Sequence, residues 1–242
     1  MGLDKAPLLL EKGSSMKTFQ DFIDEGVNDP GIFKAFFTAG GPGSGKSYVA
    51  SASGAGKNNP YGLKVVDSDP LFSKMLKDAG MATTPEDIYT DKGQAIRKRA
   101  KGLVSKQQSG FIEGRLGLLV DGTGKDYNKI KKSADTLKKI GYDTYMIFVN
   151  TSLDVAQQRN EMRARQLDKG EVTKMWNAVQ ENMGKFQSYF GRGSFLLVDN
   201  NSTGEDIFTK VFVEIGKLIK QKPSSRAANA WIKNQHAINR GG

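Results

Sequence analysis

The sequence predicts an α/β fold, a three-layer sandwich in which a mostly parallel five-stranded sheet is covered by helices on both faces. Three observations predict it. Short apolar runs of strand character alternate with stretches of helical period, and the strand runs end in turns rich in Gly, Asp and Asn. The first run also leads straight into a glycine-rich segment, Gly40 to Ser47 (GGPGSGKS), followed by a helix-forming stretch.

That first strand is Phe33-Lys34-Ala35-Phe36-Phe37-Thr38, short and aromatic as a buried strand should be, and Ser47 to Ala52 continues as a helix. The second strand, Leu63 to Val66, ends in Asp67-Ser68-Asp69-Pro70, after which helices run through a basic segment over 91–114. Leu116 to Val120 forms the third strand and ends in Asp121-Gly122-Thr123. A helix from Asp126 to Ile140 then stops at Gly141. The fourth strand, Thr144 to Val149, is followed by Asn150-Thr151-Ser152, which caps a helix running towards Ala164. Glu171 to Tyr189 reads as helix, Phe195 to Val198 as the fifth strand, and Glu205 to Lys220 as the last helix of the domain. No internal repeat is visible.

A chain of 242 residues suits one α/β domain, placed at 33–220, with terminal extensions. Residues 1–15 are an appendage or an alternative start before Met16. Residues 16–32 form a helical extension whose Phe19, Phe22, Ile23 and Val27 dock on the domain. Residues 221–242, with Lys222, Arg226, Lys233 and Arg240 but no acid, read as a mobile basic tail. The chain has no cysteine, which excludes disulfides and thiolate metal sites, and its one histidine, His236, lies in that tail. A general base must therefore be a carboxylate. Pro7-Leu8-Leu9-Leu10 is too short for a membrane span, so a soluble cytoplasmic protein is expected.

GGPGSGKS matches the phosphate-binding P-loop pattern of Gly, four free positions, then Gly-Lys-Ser. Gly40, Gly43 and Gly45 let the backbone aim its N–H groups into a concave anion site, so Gly40, Gly41, Pro42, Gly43, Ser44, Gly45, Lys46, Ser47 and Tyr48 are expected to bind ATP. Lys46 adds a charge for the β- and γ-phosphates, and Ser47 a hydroxyl for Mg2+. Asp67, Asp69 and Asp121 follow strands on the same side as this loop, which brings them towards the γ-phosphate. Asp121 is the first candidate for a metal carboxylate and Asp67 the second. Two look-alikes, Gly54-Ala55-Gly56-Lys57 and Gly122-Thr123-Gly124-Lys125, lack the leading glycine and are read as turns.

Lys and Arg number 36 against 26 Asp and Glu, a net charge of +10 that predicts attraction to polyanions. Between Lys92 and Lys106 there is no acid, and Ile96, Ala100, Leu103 and Val104 fall at helical spacing. Arg97, Lys98, Arg99 and Lys101 on that helix are candidate nucleic-acid contacts, the alternative being a solvated charged face.

The loop, the strand ends Val66-Asp67-Ser68-Asp69 and Leu119-Val120-Asp121-Gly122-Thr123, and Gln158-Arg159-Asn160-Glu161-Met162-Arg163 together resemble the polynucleotide kinase and zeta-toxin-like branch of P-loop kinases over residues 33–215. The resemblance implies that Asp69 is the general base. It also implies a lid at about 155–170 that brings Arg159 and Arg163 over the phosphates, with Arg165 a weaker candidate. No phosphatase-type second domain accompanies it. The resemblance and the charge together suggest a kinase that phosphorylates a hydroxyl on nucleic acid, most specifically the hydroxymethyl group of 5-hydroxymethyluracil in phage DNA. Alternatives are a small-molecule kinase acting on a nucleotide sugar, and an ATPase or nucleic-acid-binding switch.

Overall fold

The structure is a computed structural model that describes residues 26–50, 61–162, 167–201 and 205–241. Its strands are β1 (Lys34–Ala39), β2 (Lys64–Val66), β3 (Leu118–Val120), β4 (Asp143–Asn150) and β5 (Phe195–Asp199). They form one sheet in the order β2-β3-β1-β4-β5. Every pairing is parallel, with Phe36 of β1 level with Leu119 on one side and Tyr145 on the other. The expected "mostly parallel" sheet is thus wholly parallel, because each return crosses over through helix rather than a hairpin. The helices are α1 (Lys46–Ala50), α2 (Asp69–Asp78), α3 (Pro85–Ile88), α4 (Asp91–Glu113), α5 (Tyr127–Lys139), α6 (Leu153–Glu161), α7 (Lys169–Phe190), α8 (Glu205–Ile219) and α9 (Arg226–Gly241).

Period-two alternation along the central strands builds two cores. Ala35, Phe37 and Ala39 of β1 join Met146 and Phe148 of β4 on one face, packed against Leu137 of α5 and Val179, Phe186 and Phe190 of α7. Phe36, Tyr145, Ile147 and Val149 face the other way, onto Val49 of α1 and Val211, Ile215 and Leu218 of α8. A small satellite of Phe72, Leu76, Ile88 and Ala100 ties α2 and α3 to α4.

The C-terminal segment differs from the mobile tail expected of it. Residues from Arg226 form α9, and Ala228, Trp231 and Ile232 pack on the main core, with the Trp231 ring edge-on to Phe33 at 5.6 Å. Their helical spacing supplies an apolar stripe that the surrounding Ser, Asn and Lys conceal in the composition. Just before it, Ser224 donates its backbone N–H to Asp143 at 3.1 Å, which clamps the approach to the helix. At the other end Val27 is buried, while Phe19, Phe22, Ile23 and the look-alike Gly54–Lys57 lie outside the described residues. No described helix is long and apolar enough to cross a membrane.

Candidate active site

The strands all point the same way, so their carboxyl ends gather the loops that follow β1, β2, β3 and β5 around one edge of the sheet. Gly40 to Ser47 leave β1 there. Gly43 and Gly45 hold left-handed backbone (φ 73° and 87°), and a Cβ at Gly43 would lie 2.5 Å from the carbonyl oxygen of Ala156. Only glycine meets both demands. The loop therefore packs backbone to backbone against α6, whose start is capped by Ser152 accepting from Val155 N–H at 3.3 Å. Trp176 of α7 covers Gly41 and donates its indole N–H to the Thr151 carbonyl at 2.8 Å.

The cations expected to meet phosphate now meet the loop itself. Lys46 Nζ donates to the carbonyls of Gly40 and Gly41 at 2.6 and 3.3 Å, and Arg159 Nη1 donates to that of Gly43 at 3.4 Å. Arg159 thus reaches the loop's own backbone from α6. Arg163 and Arg165 lie outside the described residues. Ser47 and Tyr48 sit in the first turn of α1, with the Tyr48 ring largely exposed.

Beside the loop a cavity of about 490 Å3 opens between α4 and α5. Asp67, Ser68 and Asp69 line it from the end of β2, Asp121 to Asp126 from the end of β3, Lys101, Val104 and Gln108 from α4, and Lys129, Ile130 and Ser133 from α5. The segment Gly122-Thr123-Gly124-Lys125 is a turn, as expected, and it also walls this cavity. Asp67 accepts from the Asp69 N–H at 2.9 Å, so it starts α2 as well as facing the cavity. Burial pushes its carboxyl above the ordinary value, the Asp69 N–H opposes this, the charges of Asp121 and Asp69 add to it, and Lys46 opposes it again.

Two polar residues at this edge escaped the sequence reading. Thr38, fully buried at the end of β1, donates to Asp121 Oδ1 at 2.8 Å and accepts from Gly122 N–H at 3.2 Å, so it orients the Asp121 carboxylate. Its signal was a lone hydroxyl within an apolar strand. Asn200, after β5, donates to the Ser44 carbonyl at 2.7 Å.

The four basic residues grouped on α4 separate in space. Lys101 lines the cavity, Arg97 lies over the Phe72 ring at 4.9 Å, and Lys98 and Arg99 are exposed. Arg97 and Lys98 stand four and three positions before Lys101 and flank it on the helix surface, whereas Arg99 turns to the other side.

The donor set fits nucleotide and Mg2+. Glycine at positions 40, 43 and 45 lets the loop turn tightly against its neighbours, the backbone form that aims N–H groups at phosphate, and Ser47, Asp121 and Asp67 carry the hard oxygens that Mg2+ takes. Residues 27–193, more than half of the chain, match the family described as Zeta toxin. The chain belongs to the zeta-toxin family. Solved structures with a similar fold include the AvrRxo1-ORF1:AvrRxo1-ORF2 complex with ATP (12% identity, covering 90% of this chain and 87% of that one, TM-score 0.53). A gluconokinase from Sinorhizobium meliloti 1021 (15%, 78% and 95%, 0.47) and a shikimate kinase from Bacteroides thetaiotaomicron (12%, 78% and 99%, 0.49) are also similar. No curated protein matches the sequence. At 12% identity the first of these speaks to fold alone. Zeta-toxin family membership and the P-loop kinase fold together indicate a phosphotransferase.

Proposed function

We propose that this chain is an ATP-dependent kinase that transfers the γ-phosphate to an alcohol hydroxyl seated in the cavity between α4 and α5. One observation carries the reading: Asp67, Asp69 and Asp121 line the same cavity as Lys101, Lys125 and Lys129, beside the loop that bears Lys46. In the reaction the acceptor oxygen bonds to the γ-phosphorus while its proton passes to Asp69, and the bond from that phosphorus to the β-γ bridging oxygen breaks to release ADP. Lys46 and Arg159 offset the negative charge that spreads over the transferring group, a role that the resemblance also implies for Arg163. Ser47, Asp121 and Asp67 would hold Mg2+, which neutralises phosphate charge when bound.

The cavity volume falls within the range of about 300–1,000 Å3 usual for small-molecule sites; beside Asp67, Asp69, Asp121 and Asp126 it carries Lys101, Lys125 and Lys129, which can pair with phosphates on the acceptor. An anionic metabolite such as a nucleotide sugar is therefore the first choice. A nucleic-acid acceptor, including the hydroxymethyl group of 5-hydroxymethyluracil in phage DNA, is the second reading. Exposed Lys98, three positions before pocket-lining Lys101 on the same helix, favours it, since a strand's phosphates need cations outside the pocket while a flipped base enters it.

The test offers γ-labelled ATP and Mg2+ together with nucleotide sugars, sugar phosphates, RNA, and DNA with and without the modified base. Label in a nucleotide sugar supports the first reading, and label in DNA selects the second. ADP release with no labelled acceptor, unaltered in Asp69→Asn, would overturn the kinase assignment in favour of an ATPase.

A further inference from the structure

We propose that Asn200 is a positioning residue for the phosphate loop, fixing the Ser44–Gly45 peptide in the orientation that an anion requires. The proposal rests on the loop holding the donor's phosphates and is independent of the acceptor. Asn200 is anchored first by its own backbone, whose N–H donates to the Asn150 carbonyl at 2.8 Å as β5 ends. Its buried side chain then reaches back across the sheet edge, and Nδ2 donates to the Ser44 carbonyl at 2.7 Å. In a trans peptide the carbonyl oxygen and the following N–H point to opposite sides. Tethering the Ser44 oxygen to Asn200 therefore directs the Gly45 N–H to the opposite side of the loop, and inward N–H groups of this kind make phosphate cradles.

The loop is shaped to admit this tether. A Cβ on Gly45 would collide with the Asn200 amide nitrogen, so glycine at that position serves the turn and the seat of Asn200 together. The next residue has a different task. Asn201 Oδ1 accepts from the Ser152 N–H at 2.6 Å, at the cap of α6. One turn thus holds the loop with its buried first asparagine and the start of α6 with its exposed second.

Calorimetric titration of the full chain with Mg2+ and either ATP or inorganic tripolyphosphate tests this, because tripolyphosphate engages the loop without a base. Asn200→Ala is expected to weaken both ligands by roughly 5–10-fold, the worth of one hydrogen bond. Asn200→Asp, equal in size but presenting oxygen to the Ser44 carbonyl, should weaken them further, and thermal melts of both variants confirm that the fold is retained. Asn201→Ala should leave both affinities within about twofold, as surface changes do. Unchanged tripolyphosphate binding in Asn200→Ala, whether or not ATP weakens, overturns the proposal, as does equal weakening by Asn201→Ala. A wild-type chain that binds neither ligand would instead refute the reading of the loop itself.

Discussion

The two ends of the sheet treat ionisable groups in opposite ways. At the amino ends of the strands, buried Lys34 donates to Asp143 at 2.7 Å, and Asp143 in turn receives Ser224. Nearby, buried Asp29 accepts from the N–H groups of Gly31 and Gly117 at 2.7 and 3.3 Å and lies 3.8 Å from Lys64. At the carboxyl ends, Asp67, Asp69 and Asp121 line open space with Lys101, Lys125 and Lys129. A buried charge by itself is no sign of function, since an ion pair can be structural. What separates the two ends is whether the groups complete each other or face an open cavity.

The largest expected effect is at the carboxyl end. Lys46→Ala should reduce phosphate transfer by roughly 10^3-fold or more while the melting temperature stays near that of wild type, measured by label transfer and calorimetry. Lys34→Met reverses the pattern. It strands Asp143 without its buried cation and should cost about 3 kcal/mol in denaturant unfolding, with ATP affinity unchanged in the folded fraction. Smaller, and again confined to the upper end, Thr38→Val should lower kcat about tenfold and raise the Mg2+ requirement, whereas Thr38→Ser restores both.

The smallest effect concerns Asp67. Its folded carboxyl titrates above the ordinary value, so ionisation is disfavoured by the fold: the associated stability is present below the ordinary value and lost as pH rises through the raised one. Asp67→Asn should therefore melt about 1–2 °C higher at neutral pH. That gap should close as pH falls towards about 4, and a melt at each pH checks both statements.

Much of this was legible in sequence because it is local. The apolar runs that became β1 and β4, the glycines of the loop and the Asp-rich strand ends each carry their signal within a few residues. Thr38 and Asp121 stand 83 positions apart, and Asn200 and Ser44 stand 156 apart, so neither pairing leaves a periodic trace. The cavity was hidden for the same reason, since its walls come from α4, α5 and the ends of β2 and β3, which lie far apart in the sequence. α9 was missed because three apolar residues were diluted by polar ones, and composition averages over a face that helix geometry concentrates.

Lys46 donates to the carbonyls of Gly40 and Gly41. A phosphate oxygen that engages this ammonium therefore competes with oxygens of the loop itself, so phosphate affinity at this position measures a difference between two sets of contacts and not the strength of one.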